Sequence, residues 1–351
     1  MRQFLYPIIS GKRTDLLASI VRLLLWGFSL IYGAAARVWV GLYNCGIFKK
    51  FQLSVPVVSI GNLTMGGSGK TPMAIFVARL LKARQLNPVI VTRGYRPGHR
   101  NGSEELSDEV KMLKELLPDV GVVVNPDRYH GGLEAIRRYQ ANVIILDDGF
   151  QHWKLKRDLD IVLIDCSNPF GSGYLLPAGI LREPVSAIQR AQLIVLTKTD
   201  RGNVENIKKQ LDLNSSGIPV VETQHVAKSV SDVFLKEDFP LNRIVSSVIA
   251  FCGLGEPLSF KETLVKLGAD VKEFIAFSDH YEYTREDMQK IRLRCEELGV
   301  RNIVTTRKDA VKLEAFKEFW QGFNCYMLNI EIEITKGHNE FNRKFDFLSH
   351  R

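Results

Sequence analysis

Short, wholly apolar runs alternate along this chain with polar or helix-periodic stretches. Residues 55–60, 89–92, 121–124, 143–146, 161–164 and 193–196 are rich in β-branched side chains and lack the in–out alternation of a half-exposed strand. Such runs are expected of strands covered on both faces. Between them, residues 73–81, 108–117 and 132–139 carry helical spacing. This succession predicts an α/β fold, a parallel sheet with helices on both faces. The pattern loosens over residues 217–226. A second, smaller α/β domain is then predicted from strand-like 245–252, helix-like 257–267 and 284–298, and strands at 303–305 and 326–332. The expected organisation is an apolar segment at 1–45, a core at 46–225 and the smaller domain at 226–351. The polar stretch 336–344 reads as a surface loop before a short C-terminal helix.

Residues 16–36 stand apart, apolar except for Arg22 and a few small polar side chains, with Lys12, Arg13 and Arg37 at the flanks. The run is long enough to cross a bilayer as helix and longer than the apolar part of a signal peptide. An interfacial helix, a span and a buried core helix all compete. Arg22 inside the run and the renewed apolar, aromatic character of residues 38–43 favour the interfacial helix, with its arginines reaching for the headgroups.

The most informative chemistry lies between the first strand and the first helix of the core. There Thr64 to Thr71 reads T-M-G-G-S-G-K-T. Backbone amides of Gly66, Gly67, Ser68 and Gly69 can wrap a phosphate, because residues without Cβ accept the left-handed conformations that aim successive N–H groups inward. The helix N-terminus adds partial positive charge beneath them. Lys70 would reach the β- and γ-phosphates and the Thr71 hydroxyl would hold Mg²⁺, as in a Walker A loop. The strict motif has glycine where this chain has Thr64. The strand before and the helix after favour the phosphate loop over an ordinary glycine-rich turn. Pro72 is tolerated because the first helical turn has no use for its N–H.

The run 143–146 followed by Asp147 and Asp148 resembles a Walker B strand, with carboxylates at a buried strand end as metal ligands. Arg182-Glu183, on a Gly/Pro-rich loop, reads by default as a surface ion pair. Asp108 stands in a helix-capping setting, and Ser278-Asp279-His280-Tyr281 precedes a helix of the second domain. Thr197-Lys198-Thr199-Asp200 imitates the guanine-reading N-K-x-D, which keeps a GTPase as the enzymatic alternative. A nucleotide-dependent membrane-bound binding protein is the non-enzymatic one.

Composition narrows the class. The 351 residues, 45% hydrophobic and 25% charged, describe a folded protein long enough for two domains. A formal charge of +8 points to an anionic partner, and no nucleic-acid recognition motif accompanies it. Five scattered cysteines without C-x-x-C spacing indicate neither a disulfide framework nor a zinc site, which suits a reducing compartment.

Several strings occur in order: G-N-L-T-M-G-G-S-G-K-T-P from Gly61, T-R-G-Y from Thr92, D-E at Asp108, D-R at Asp127, D-D-G-F-Q-H from Asp147, L-P-A-G-I-L-R-E-P from Leu176, F-S-D-H-Y from Phe277 and K-D-A-V-K-L from Lys308. Together they resemble the tetraacyldisaccharide 4'-kinase family. D-D-G-F-Q-H and L-P-A-G-x-L-R-E-P are the most distinctive. The resemblance implies a P-loop kinase that uses ATP and Mg²⁺ to phosphorylate the 4'-hydroxyl of a lipid A disaccharide 1-phosphate. It further implies a monomer working at the cytoplasmic face of the bacterial inner membrane, without nucleic acid. Asp108 is implied as the general base, paired with His280, alongside Lys70. Thr71, Asp147, Asp148 and Glu183 are implied as metal or metal-water ligands, with Gln151 near the nucleotide. Arg93, Tyr95, Arg128 and Arg182 are implied near phosphates or the disaccharide. Ser107 and Arg307 depart from the residues expected at their positions, glycine and glutamate.

Overall fold

The computed structural model describes residues 8–9, 15–94, 107–213, 216–279 and 281–348, apart from the Asp108 side chain. In chain order the helices are α1 (Leu16–Asn44), α2 (Lys70–Ala83), α3 (Asp108–Leu116), α4 (Arg128–Tyr139), α5 (Val204–Gln210), α6 (Pro257–Lys266), α7 (Arg285–Glu297), α8 (Arg307–Leu313) and α9 (His338–Arg343). The strands are β1 (Val57–Asn62), β2 (Pro88–Thr92), β3 (Gly121–Val124), β4 (Val143–Asp147), β5 (Leu159–Asp165), β6 (Leu193–Thr197), β7 (Val220–Asp232), β8 (Asp238–Phe239), β9 (Ser247–Cys252), β10 (Asp270–Ala276), β11 (Asn302–Thr306) and β12 (Asn324–Lys336). They form two compact units. One holds Met1–Tyr95, Leu117–Gln224 and Ile332–Arg351; the other holds Arg96–Leu116 and His225–Glu331. The division differs from a single cut at 225, since the chain end returns to the first unit and α3 belongs to the second.

In the first unit the strands lie in the order β3-β2-β4-β1-β5-β6-β7, and every neighbouring pair is parallel. All residues of β1, β4, β5 and β6 are buried, which explains why they read as unbroken apolar runs. The step from β1 to β2 moves one way along the sheet, and the step from β3 to β4 moves back. Right-handed crossovers therefore place α2 and α4 on opposite faces. Val89, Val91, Ile144 and Leu146 meet Ala135 of α4 in one core cluster. The alternate residues Ile90 and Ile145 point to the other face. β1 sits between β4 and β5, so the loops leaving its carboxyl end open at a topological switch point, where ligands bind in such sheets.

α2 starts at Lys70, three residues before the apolar periodicity, with Pro72 in its first turn. At the other end of the chain the expected surface loop is ordered structure. β12 runs to Lys336 and α9 follows, with Phe341 and Phe345 fully buried and Phe341 packed edge-on to Phe76 of α2 at 5.6 Å. Those two phenylalanines stand among polar residues in the sequence, which hid a packed helix behind a loop-like composition. β7 was equally concealed: it is a 13-residue strand where the sequence pattern loosens.

α1 continues past Ala36 to Asn44. Only 17% of its most apolar window is buried, which removes the core-helix alternative. Leu23, Leu24, Phe28 and Ile31 are each at least 60% exposed.

In the second unit β10-β9-β11-β12 pair in parallel. α7 and α8 bury Met288, Ile291, Cys295, Ala310 and Leu313 against Ile249, Phe251 and Ile303. A capping box in which Thr284 and Asp287 exchange hydrogen bonds starts α7.

Candidate active site

The turn after β1 has the backbone that a phosphate cradle needs. Gly66 and Gly69 have φ of 126° and 86°, conformations that a side chain would oppose, and Gly69 caps α2. Lys70 lies over this turn. Its Nζ donates to Asn62 Oδ1 at 3.2 Å and to the Gly66 carbonyl at 3.4 Å, and stands 3.7 Å from Asp148 Oδ1. The Thr71 hydroxyl donates to Asp147 Oδ2 at 3.4 Å. Ser68 is buried, and its carbonyl accepts from the Thr197 hydroxyl at the end of β6, at 3.2 Å.

The two aspartates divide because the strand ends between them. Asp147, the last residue of β4, is buried and faces Thr71. Asp148 turns out of the strand with a φ of 57°. Arg182 Nη1 donates to both Asp148 oxygens, at 2.9 and 2.8 Å, and to Gln151 Oε1 at 3.5 Å. Gln151 in turn donates to the Asn62 carbonyl at 2.9 Å. Burial pushes the Asp148 carboxyl up, but Lys70, Arg182 and Arg128 outweigh it and hold the group below the usual carboxylate range. Asp148 therefore stays ionised at neutral pH.

Arg128 begins α4 and is 4% exposed; its Nη1 donates to the Asn125 carbonyl at 2.8 Å. Burial lowers its pKa, with the charge of Arg93 adding to the effect and Asp147 and Asp148 opposing it. Three cations, Lys70, Arg128 and Arg182, thus converge on two carboxylates, with the charge of Arg93 felt at Arg128. The surplus of positive charge suits a polyphosphate.

Mg²⁺ binds hard oxygen donors, commonly one or two carboxylates beside substrate phosphates. The Thr71 hydroxyl and the Asp147 carboxylate are such donors, adjacent at the start of the phosphate turn, so the residues fit the ion. Among the described residues no group of three or more His, Cys, Asp or Glu side chains forms an all-protein metal cage. Glu183, expected with the metal ligands, is 7% exposed and gives both oxygens to Arg190, at 2.8 and 3.1 Å. The Arg190 guanidinium lies 4.3 Å from the ring centres of both Phe150 and Trp153.

The structure thus brings together Gly66 to Thr71, Asp147, Asp148, Gln151, Arg128 and Arg182, with Arg93 at the end of β2. Tyr95, His280 and the Asp108 side chain lie outside the described residues. The neighbours of His280 are held by α8: Lys308 pairs with Asp279 at 2.7 Å, and Lys312 donates to the Tyr281 carbonyl at 2.8 Å. Sequence reasoning missed Asn62, Arg190 and Thr197. Asn62 lies inside the phosphate-loop string and could have been weighed with it. Thr197 was legible only as part of a nucleotide-base motif, whose Lys198 here pairs with Asp165 at 2.5 Å.

Comparison with known proteins places this geometry. Residues 21–347 match the profile of tetraacyldisaccharide-1-P 4'-kinase. A tetraacyldisaccharide 4'-kinase from Halothermothrix orenii is 35% identical over 95% of this chain and 94% of its own length. One from Geobacter metallireducens is 38% identical over 85% and 90%. The crystal structure of the "apo" form of LpxK from Aquifex aeolicus in complex with ATP superposes with a TM-score of 0.73 at 32% identity, covering 93% of this chain and 99% of that one. With the phosphate cradle, the paired aspartates and the converging arginines all in one parallel α/β unit, the chain belongs to the tetraacyldisaccharide-1-P 4'-kinase family.

Proposed function

We infer that this protein is a lipid A 4'-kinase, transferring the γ-phosphate of ATP to the 4'-hydroxyl of a tetraacylated glucosamine disaccharide 1-phosphate. The observation that carries the reading is the convergence of Lys70, Arg128 and Arg182 on Asp147 and Asp148 beside the Gly66–Thr71 turn. Phosphoryl transfer needs little covalent help from protein. Its barrier falls when acceptor and phosphate are aligned and the charge developing on phosphate oxygens is neutralised. The glycine amides and Lys70 bind and neutralise the phosphate chain. Thr71 and Asp147 would hold Mg²⁺, which supplies further neutralisation when bound. Arg182, braced by Asp148 and Gln151, and Arg128 orient anionic oxygens. Asp108 takes the proton of the 4'-hydroxyl, with His280 as its partner. The new bond forms between that oxygen and the γ-phosphorus as the bond to the β-phosphate oxygen breaks, and ADP leaves with the electron pair.

An acylated acceptor also gives α1 a purpose. Its exposed leucine, isoleucine and phenylalanine side chains supply an apolar face, and the net positive charge attracts an anionic lipid surface. In this reading α1 lies in the interface at the cytoplasmic face of the inner membrane.

The test is transfer of label from γ-labelled ATP to detergent-dispersed tetraacyldisaccharide 1-phosphate, with Lys70→Ala as the blank and GTP as a competing donor. Labelled lipid that disappears in the variant is the expected result. Nucleotide hydrolysis without lipid labelling, with GTP preferred, would overturn the assignment in favour of a GTPase.

A further inference from the structure

An apolar helix that served only to touch lipid would need no hydroxyls committed to the protein, yet α1 carries two, buried Ser29 and half-buried Tyr32, bonded to one loop. Ser29 Oγ donates to the Leu175 carbonyl at 2.7 Å and accepts from the Ala178 amide at 3.0 Å. The Tyr32 hydroxyl donates to the Arg182 carbonyl at 2.9 Å. Gly33 completes the stripe: a Cβ there would lie 2.8 Å from Leu175 Cδ1, so the glycine leaves room for that side chain against the helix. Positions 29, 32 and 33 share one helix face. Ser29 is 5% exposed, and a buried hydroxyl is tolerated only where its hydrogen bonds are made. Ser29 makes two, and both fix the position of the loop.

The same loop supports the phosphate site. The Met65 amide donates to the Ile180 carbonyl at 2.7 Å, and the Arg182 amide donates to the Leu63 carbonyl at 2.7 Å. Thr64 and Leu181 form an antiparallel bridge between these two bonds. The chain leaving β1 toward Gly66 is therefore laid against residues 180–182, whose other side is pinned to α1. Arg182 belongs to both contacts. Its carbonyl takes the Tyr32 hydroxyl, and its guanidinium engages Asp148 at 2.8 Å.

We propose that Ser29 and Tyr32 are positioning residues for the phosphate site, holding residues 175–182 so that Arg182 stays on Asp148 and the phosphate turn keeps its entry angle. The proposal rests on the kinase reading for its consequence, because a displaced Arg182 slows phosphoryl transfer only if it orients phosphate oxygens. It makes α1 part of the catalytic scaffold as well as a lipid-facing surface. Neither hydroxyl touches substrate in this account; both act through Arg182.

The test is a double-mutant comparison on the full-length protein in a single detergent. Tyr32→Phe and Ser29→Ala are each measured alone and in an Arg182→Gln background, for lipid phosphorylation and for affinity toward a fluorescent ATP analogue. In the wild-type background each is expected to lower kcat by about five- to tenfold, the equivalent of one or two lost hydrogen bonds. Melting temperature by circular dichroism should move little for Tyr32→Phe, which removes one oxygen. In the Arg182→Gln background the same substitutions should cost less than about twofold, since the group they position is gone. Equal fold losses in both backgrounds, or no loss in the wild-type background, would overturn the proposal. If the unsubstituted protein labels no lipid, the kinase reading falls. The nucleotide-affinity arm then decides the positioning role alone: losses seen in the wild-type background and absent with Arg182→Gln support it, and background-independent losses refute it.

Discussion

Arg190→Met should be among the most damaging single changes in the first unit that leaves every phosphate-loop residue in place. Arg190 supplies two charge-assisted hydrogen bonds to Glu183, whose side chain is only 7% exposed. Methionine fills much of the same volume between Phe150 and Trp153 but leaves that carboxylate buried without its counter-charge. Breaking a buried pair from one side costs about 3–5 kcal/mol, and loss of the guanidinium over two rings adds up to about 1 kcal/mol. For a unit of this size each kcal/mol moves the melting temperature by about 2–4 °C. A fall of roughly 8–16 °C follows from about 4 kcal/mol. Removing the stranded charge as well should restore most of it, so Arg190→Met combined with Glu183→Gln is expected to recover more than half the loss. Thermal unfolding followed by far-ultraviolet circular dichroism at neutral pH measures both. A single variant within about 2 °C of the parent, or a double variant no more stable than the single, would refute the argument that the buried Glu183 carboxylate depends on Arg190.

Two further outcomes are expected. Burial, reinforced by Arg128, Arg157 and Lys154 against the opposing charge of Asp127, pushes the His152 imidazole down to about 4 from an ordinary value of 6.5. The unfolded chain then binds the proton first, so stability is intact above pH 6.5 and is lost as pH falls through about 4. His152→Gln should flatten the fall in urea midpoint between neutral and acid pH, and an unchanged slope would exclude His152 as its source. Burial also raises the thiols of Cys166, Cys252 and Cys295 to about 12 and that of Cys325 further, whereas Cys45 is exposed. One thiol per native chain should react rapidly with a disulfide reagent and none in Cys45→Ser; a second fast thiol would contradict the burial.

Much of the first unit was legible because central parallel strands must be covered on both faces, and β1, β2, β4, β5 and β6 are buried along their whole length. The phosphate turn and the Asp147-Asp148 pair were legible for a similar reason: their chemistry is contiguous, so spacing alone places amides, lysine and hydroxyl around one point. β7 and β10 were not. Their burial is partial and irregular, and a strand whose faces are unevenly covered carries no clean period. The C-terminal helix α9 escaped because two buried phenylalanines among polar residues do not announce a partner that lies on α2.

What the sequence determined by itself was local: strand runs, the glycine-rich turn, the acidic strand end and an apolar helix of membrane-reaching length. Tertiary structure decided which distant groups complete them. Thr197 reaches the phosphate turn across 129 residues and Tyr32 reaches Arg182 across 150. Glu183 spends both oxygens on Arg190, and α1 exposes its apolar face while bonding Ser29 and Tyr32 to the 175–182 loop. A buried hydrogen bond or ion pair depends on geometry that only the folded chain supplies. Periodicity and spacing record which residues must be covered, and packing selects what covers them.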